Sequence, residues 1–322
     1  MKTHSHRFCV APMMDWTDRH DRSFLRLFSK RALLYTEMVT SAALIRGKAL
    51  YLLDYHPQEH PLAIQLGGSD PVELAKAAVL AEQAGFIEVN LNVGCPSDRV
   101  QSGSFGACLM NSPALLGDCI KAMQDATSID ITVKCRIGVD AMDSDEQLID
   151  FIGQLAKTGC HTFIIHARIA LLSGLSPKQN REIPPLNYPR VFLIKQRFPD
   201  LNIVINGGIA DLDAAGDLLA KVDGVMIGRE AYHNPYMLHR VDHEIFGDEL
   251  GSLSRLDYLQ AYLPYVQMQL AQGVNLQHIT RHILGLFKGV AGGKQFRRYL
   301  SENAYKKQAG IEVLEAAMAQ IQ

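Results

Sequence analysis

The residues 90–100 read NLNVGCPSDRV, placing one cysteine between a glycine and a proline directly after an alternating apolar run. Cys95 could be a buried filler, half of a disulfide, a metal ligand or a reagent. The six cysteines, at 9, 95, 108, 119, 135 and 160, include no C-x-x-C pair. The N-terminal MKTHSHRFCVAPMMDW lacks the apolar core of a secretion signal. Together these features predict free thiols in a reducing cytoplasm and argue against a disulfide framework.

Other residues could do chemistry beside Cys95. Lys134 interrupts an apolar run, where an unpaired ammonium is costly. It could pair with Glu88 or Glu37, form a Schiff base, or set a fixed cation beside the pyrimidine edge of a flavin. His166 and Arg168 alternate, so in a strand they face one side. His166 is either structural or part of a site, and no third ligand accompanies it or the His278/His282 pair to make a zinc set. Asn206-Gly207-Gly208 and Gly228-Arg229 end two apolar runs. Such glycines either make a tight turn or let backbone N–H groups approach a phosphate, with Arg229 adding a fork of donors. Met13 and Met14, after Pro12, suit packing against a flat ring or a core, and Gln65 can read a ring edge as donor and acceptor. The set describes a phosphate-bearing planar cofactor. The GVAGGKQ stretch at 289–295 lacks the spacing of a P-loop and is followed by Gln295 where a hydroxyl residue is needed.

The elements that must position these residues alternate. Eight β-rich runs, at 8–13, 33–39, 62–68, 86–94, 131–138, 161–168, 202–209 and 224–230, are separated by helix-length segments. In 70–85, Asp70 reads as N-cap, Pro71 as the first helical residue and Gly85 as the C-terminal stop. In 142–159, Ser144 and Gln147 form a capping box and Gly159 closes the helix. Eight such units predict an α/β fold, a (β/α)8 TIM barrel, whose strand C-termini converge on one pocket. The absence of G-x-G-x-x-G after the first run argues against a dinucleotide-binding Rossmann sheet.

After residue 246 the period-two pattern stops, and the apolar spacing becomes helical through 256–273, 275–289, 294–308 and 311–322. We therefore expect a barrel over 1–246 and a small all-helical domain over 247–322. The net charge of −2 hides a basic segment: 281–307 holds seven Lys/Arg and one acid, Glu302. That run is either a solvated helix face or a patch for a polyanion. No apolar run is long enough to span a membrane.

In order along the chain, VAPMMDWTDR, YTEMV, IQLGGSDP, EVNLNVGCPSDRV, GSFGACLM, VKCRIG, IHAR, INGGI and MIGREAYHNP resemble the flavin-dependent tRNA-dihydrouridine synthases. SGLSPKQNREIPPL and the HITRHILGLFKG…RRYLSENA tail look most like the bacterial DusA subfamily. The resemblance implies a cytoplasmic enzyme that reduces a uridine in the tRNA D-loop, at positions 20 and 20a, with FMN and NADPH. It implies cofactor contacts at Pro12, Met13, Met14, Gln65, Lys134, His166, Asn206, Gly207, Gly208, Gly228 and Arg229. Asn92 and Arg168 would contact substrate, and Lys178, Arg181, Arg297 and Arg298 the RNA. No metal or membrane is implied, and the chain is expected to act as a monomer. Reducing the uracil 5,6 bond needs a hydride at C6, from FMN N5, and a proton at C5. A thiol, with an ordinary pKa of about 8.5, suits the second task, so Cys95 is the expected proton donor. The alternatives are an FMN-dependent dehydrogenase of a free pyrimidine, of dihydroorotate type, and a non-catalytic RNA-binding protein.

Overall fold

The computed structural model describes residues 5–97, 103 and 105–321. The strands are β1 (Phe8–Val10), β2 (Leu34–Thr40), β3 (Leu62–Gly67), β4 (Glu88–Val93), β5 (Asp130–Arg136), β6 (Thr162–His166), β7 (Asn202–Asn206) and β8 (Gly224–Ile227). Each is parallel to the next in sequence from β2 onward, and β1 pairs with β8. The ring closes between β1 and the residue before β2: Val10 N donates to Leu33 O at 2.9 Å and Leu33 N to Phe8 O at 3.0 Å. The expected (β/α)8 barrel is therefore present.

Helices α1 (Arg19–Leu25), α2 (Ser41–Ile45), α3 (Pro71–Ala84), α4 (Pro113–Ala126), α5 (Asp145–Ala156), α6 (Tyr188–Arg197) and α7 (Leu212–Leu219) follow successive strands, and α8 (Arg229–His233) and α9 (Val241–Phe246) follow β8. Local chemistry sets their ends. The Asp70 carboxylate accepts from Val72 N and Glu73 N, and Gly85 stops α3 with φ +99°. The Ser144/Gln147 capping box forms, but α5 ends at Ala156 with Lys157 as its C-cap. Gly159, with φ +91°, makes the turn that follows.

Strand alternation divides the apolar residues between two cores. Outward residues such as Phe8, Val10, Ile64, Leu66, Val89 and Leu91 join Leu74, Ala77 and Ala81 of α3 in the layer between barrel and helices. Inward residues Cys9, Tyr35, Ala63, Ile164, Val204 and Met226 fill the barrel. The interior also holds buried Glu88, Asn90 and Thr132, which sequence periodicity alone would not lead one to group.

Beyond Gly247 the chain is helical: α10 (Arg255–Ala271), α11 (Leu276–Thr280), α12 (Gly293–Asn303) and α13 (Ile311–Met318). The helix expected over 275–289 ends early, at Thr280. Gly285 lies so close to the barrel that a Cβ there would sit 2.6 Å from His233 O, and Gly289 and Gly292 take φ of +76° and +79°. Chain reversal, not helix, brings α12 into place. The helical segment packs on α1, where Tyr262 Oη donates to His20 O at 2.8 Å and the Phe24 and Tyr262 rings lie 5.0 Å apart. Among the described residues no helix is long and apolar enough to cross a membrane.

Candidate active site

The β4 end is held by a hydrogen-bond chain that starts at the barrel base. Glu88 is fully buried and accepts from Tyr35 Oη at 2.8 Å, Thr132 Oγ1 at 2.6 Å and His6 Nε2 at 2.6 Å. Its charge, together with burial as the larger cause, raises the Tyr35 phenol and the Cys9 thiol well above their ordinary values. Because Thr132 spends its hydrogen on Glu88, its oxygen accepts from Asn90 Nδ2 at 2.9 Å. Asn90 Oδ1 then accepts from Gln65 Nε2 at 2.8 Å, and Gln65 Oε1 from Asn92 Nδ2 at 2.8 Å. Asn92 Oδ1 is left facing the loop, where it accepts from Gly94 N and Cys95 N, both at 3.1 Å.

Cys95 is half-buried and its position is fixed from three sides. Asn92 holds its N–H, its carbonyl accepts from Ala107 N at 2.9 Å, and Arg136 Nε donates to Gly94 O at 3.1 Å. All six cysteines are free. The 98–100 part of the NVGCPSDRV motif lies outside the described residues.

Lys134 does not pair with Glu88 or Glu37. Its Nζ donates to Asn206 Oδ1 at 3.0 Å, while Asn206 Nδ2 donates to Met226 O at 2.7 Å. Burial first, and the Arg136 charge second, lower Lys134 to about 8. His166 is pushed well below the ordinary imidazole range by burial and then by Arg136, Lys134, Arg168 and Arg181. It is a neutral ring at pH 7, and its Nδ1 is buried without a hydrogen-bond partner.

The strand-end glycines meet the demands of close approach. Gly207 and Gly208 have φ of +113° and +71°, and a Cβ on Gly207 would sit 3.1 Å from His166 Nε2. Gly228 faces the Met13 sulfur, which would lie 3.5 Å from a Cβ there. Met13 packs against the barrel-filling core and Pro12 is half-buried, but Met14 is 54% exposed. Met13 is thus packed against the barrel-filling residues while the Met14 side chain is open to solvent. Arg229 is engaged as well: its Nη1 donates to Glu182 Oε1 at 2.8 Å. Arg168 donates through Nη1 to the carbonyls of Pro184 and Glu182, and its buried Nε has no partner. Lys178 and Arg181 flank a short turn in the 171–187 loop, both on the exposed side. Arg181 lies within electrostatic reach of Arg229, Cys95 and Glu182. Arg297 and Arg298 lie on α12, where Arg297 is half-buried and Arg298 is exposed opposite the buried Phe296 and Leu300 and pairs with Glu302 at 2.7 Å.

Arg136, which with Lys134 is a polar residue offered by the fifth strand, has no role assignable from the sequence. It is 5% exposed, and besides Gly94 O it donates to Ile169 O at 3.2 Å and Asn180 O at 3.0 Å. One guanidinium therefore ties the cysteine loop to the loop after β6. Its place two residues after Lys134, on the same strand face, was the available signal. Among the described residues no three His, Cys, Asp or Glu side chains are grouped to hold a metal ion.

The profile of the dihydrouridine synthase (Dus) family matches residues 9–322. The chain belongs to the dihydrouridine synthase family. A tRNA-dihydrouridine(20/20a) synthase of Escherichia coli K12 is 59% identical over 315 residues, covering 98% of this chain and 91% of the relative. The protein of the same name from Vibrio parahaemolyticus is 56% identical over 320 residues, covering 99% and 98%. That of Yersinia pestis is 58% identical over 314 residues. For this Dus-family barrel, the polar strand ends described above are the candidate active site.

Two outcomes follow from this geometry. In Glu88→Gln, an amide that must donate replaces a carboxylate that only accepts. The ligand-free protein should lose about 1–3 kcal/mol in urea unfolding, and an unchanged midpoint would show that the chain does not depend on Glu88. For Lys134, the unfolded state holds the proton between pH 8 and the ordinary lysine value while the folded state releases it. Stability should therefore gain a rising component with pH across that window. Unfolding midpoints measured from pH 7 to 10.5 should lose that component in Lys134→Met.

Proposed function

We propose that the protein reduces a uridine of the tRNA D-loop to 5,6-dihydrouridine, at position 20 or 20a, with FMN held at the barrel mouth and NADPH as reductant. The observation that carries this reading is the charge arrangement around Cys95. Lys134, Arg136, Arg168 and Arg181 gather about a neutral His166, with Arg229 beside Arg181, next to Gly207 and Gly208 in a left-handed backbone that glycine alone adopts readily. The printed activity of relatives at 56–59% identity supports the substrate, and a tRNA substrate places the work in the cytoplasm.

The residues fit a flavin mononucleotide on the structure's own terms. The Gly207–Gly208 backbone and the Gly228 turn leave room that any Cβ would narrow. His166 Nδ1 and Arg168 Nε are buried donors or acceptors still seeking a partner. Lys134, Asn206 and Gln65 would hold the ring edge, Met13 its face, and Arg229 with the glycine N–H groups its phosphate, which would take Arg229 from Glu182. When bound, the flavin supplies the two-electron chemistry at uracil C6.

The chain supplies the rest. Asn92 keeps one amide hydrogen free of its bond to Gln65 and can turn it to a uracil carbonyl. The Cys95 thiol delivers the proton to C5. Thiolate charge left behind at Cys95 is countered by Lys134, Arg136 and Arg181, each of which is perturbed by it. Arg168 and the neutral His166 can polarise the carbonyl on which charge develops. Flipping the uridine out of its stack needs a grip on the flanking strand. We assign that grip to the helical segment from 247 to 322, with Arg297 and Arg298, and to Lys178 beside the mouth. A dehydrogenase of a free pyrimidine has no use for this segment.

Purified protein should be yellow, or become so with FMN. Cys95→Ala should keep bound flavin and NADPH oxidation while uridine reduction in tRNA falls on the order of a hundredfold or more; reduction at the wild-type rate would remove Cys95 from the mechanism. Charge reversal at Arg297 and Arg298 should weaken tRNA binding and flatten its dependence on salt with flavin still bound. Equal affinity across the salt range would free α12 from that role.

A further inference from the structure

Trp16 is the only tryptophan in the chain. It lies in the loop between β1 and α1, two residues beyond exposed Met14, and its ring stacks on Tyr232 of α8 with centroids 4.5 Å apart and planes 12° from parallel. His233 meets Trp16 edge-on at 5.0 Å. Three features set this pair apart from packing. Among the described residues, neither ring joins either hydrophobic core, although both are large and half-buried. The turn presenting Trp16 is strained: Asp15 takes φ +64°, a left-handed conformation unfavourable for a residue with a Cβ. That turn is pinned, since Trp16 N and Thr17 N donate to Met13 O at 3.1 and 3.0 Å and Asp15 N donates to Glu37 Oε1 at 2.5 Å. The third feature is location. Tyr232 Oη donates to Arg281 O at 3.3 Å, and its ring meets His282 edge-on at 5.8 Å. The stack therefore spans the space from the strand ends of β1 and β8 to the point where the basic 281–307 segment begins.

The geometry points to the Trp16–Tyr232 pair as a platform on which an unpaired base of the RNA stacks, next to the uridine held in the barrel. This rests on the tRNA reading above and specifies one of its contacts. Aromatic faces beside a basic track are how single-stranded nucleic acid is held without regard to sequence. Charge contributes little at the platform itself. Arg281 is paired with Asp18 at 2.7 Å, and Lys288 with Glu230 at 3.6 Å. A nucleobase recognises the ring face, and the phosphates on either side are left to the more distant cations.

The test uses the FMN-loaded protein and unmodified tRNA transcript. Emission from the lone tryptophan should be quenched saturably as tRNA is added to the wild type. Trp16→Ala should weaken tRNA binding roughly tenfold at every salt concentration, leaving the slope of log affinity against log salt unchanged. Trp16→Phe should retain most of the affinity, and Trp16→Leu, which restores bulk without a ring, should not. Wild-type affinity in Trp16→Ala, rescue by Trp16→Leu, a changed salt slope or unquenched emission would each overturn the platform. So would a raised KM for NADPH with tRNA affinity intact, which would give the rings to the reductant. A wild-type protein that binds no tRNA would instead bring down the proposed function on which the platform stands.

Discussion

A carboxylate that can only accept sets the polarity of the whole β4 side of this barrel. Glu88 takes hydrogens from Tyr35, Thr132 and His6, and each amide above it then has one orientation. The backbone N–H groups of Gly94 and Cys95 can only donate, so they impose the same direction from the opposite end. An amide turned over anywhere between would face donor to donor or acceptor to acceptor, and a buried mismatch of that kind costs about 1–3 kcal/mol. The position of the Cys95 peptide is thereby specified by a residue at the far end of the barrel. Polar networks in low dielectric are costly when incomplete and rigid when complete, and this one is complete along its length.

The second constraint is charge. A chain of net charge −2 concentrates Lys134, Arg136, Arg168, Arg181 and Arg229 at one mouth, opposed there by Glu182. Burial first, and neighbouring cations after it, lower Lys134 to about 8 and Arg136 to about 10. His166 stays neutral because burial, first, and then four neighbouring positive charges disfavour its protonation. Such a site is preorganised for anions, and its cations need no reorganisation when negative charge arrives. Arg136 also has a mechanical part. By holding carbonyls of residues 94, 169 and 180, it makes the cysteine loop and the loop bearing Arg181 move together.

Much of this was legible from residue order. Eight apolar runs with polar ends dictate a barrel, and a barrel dictates that Asn92, Lys134, His166 and Asn206 share one face. The Asp70 cap and the Ser144/Gln147 box are local chemistry and formed as read. What escaped depends on closure. The sequence offers Glu88 only as a partner for Lys134, because nothing in it shows that ring closure carries Tyr35 and His6 to the carboxylate. Arg136 donates to backbone carbonyls, which every residue has, so its partners leave no trace in residue type. The Glu182 partner of Arg229 comes from a loop 47 positions away. The early end of α11 reflects the nearness of His233 O to Gly285, a contact between segments that the helical spacing of 275–289 could not reveal.

The helical segment and the barrel mouth are joined through one residue. Asp18 caps α1 by accepting from His20 N and Asp21 N. The same carboxylate accepts from Arg281 at 2.7 Å and lies 3.0 Å from His282 Nε2, which holds it well below the usual carboxylate range. Asp21 beside it is fully buried and pushed the other way, by burial first and by Asp18 second. The Asp18 carboxylate thus orients both the first turn of α1 and the start of the basic segment. Between Asp18 and β1 lie only Met13, Met14, Asp15, Trp16 and Thr17 beyond the strand-end proline. The loop that lines the mouth is thus the loop on which the helical segment is anchored. A shift of the helices relative to the barrel has to pass through it, which makes the grip on a long substrate and the shape of the pocket parts of one mechanical unit.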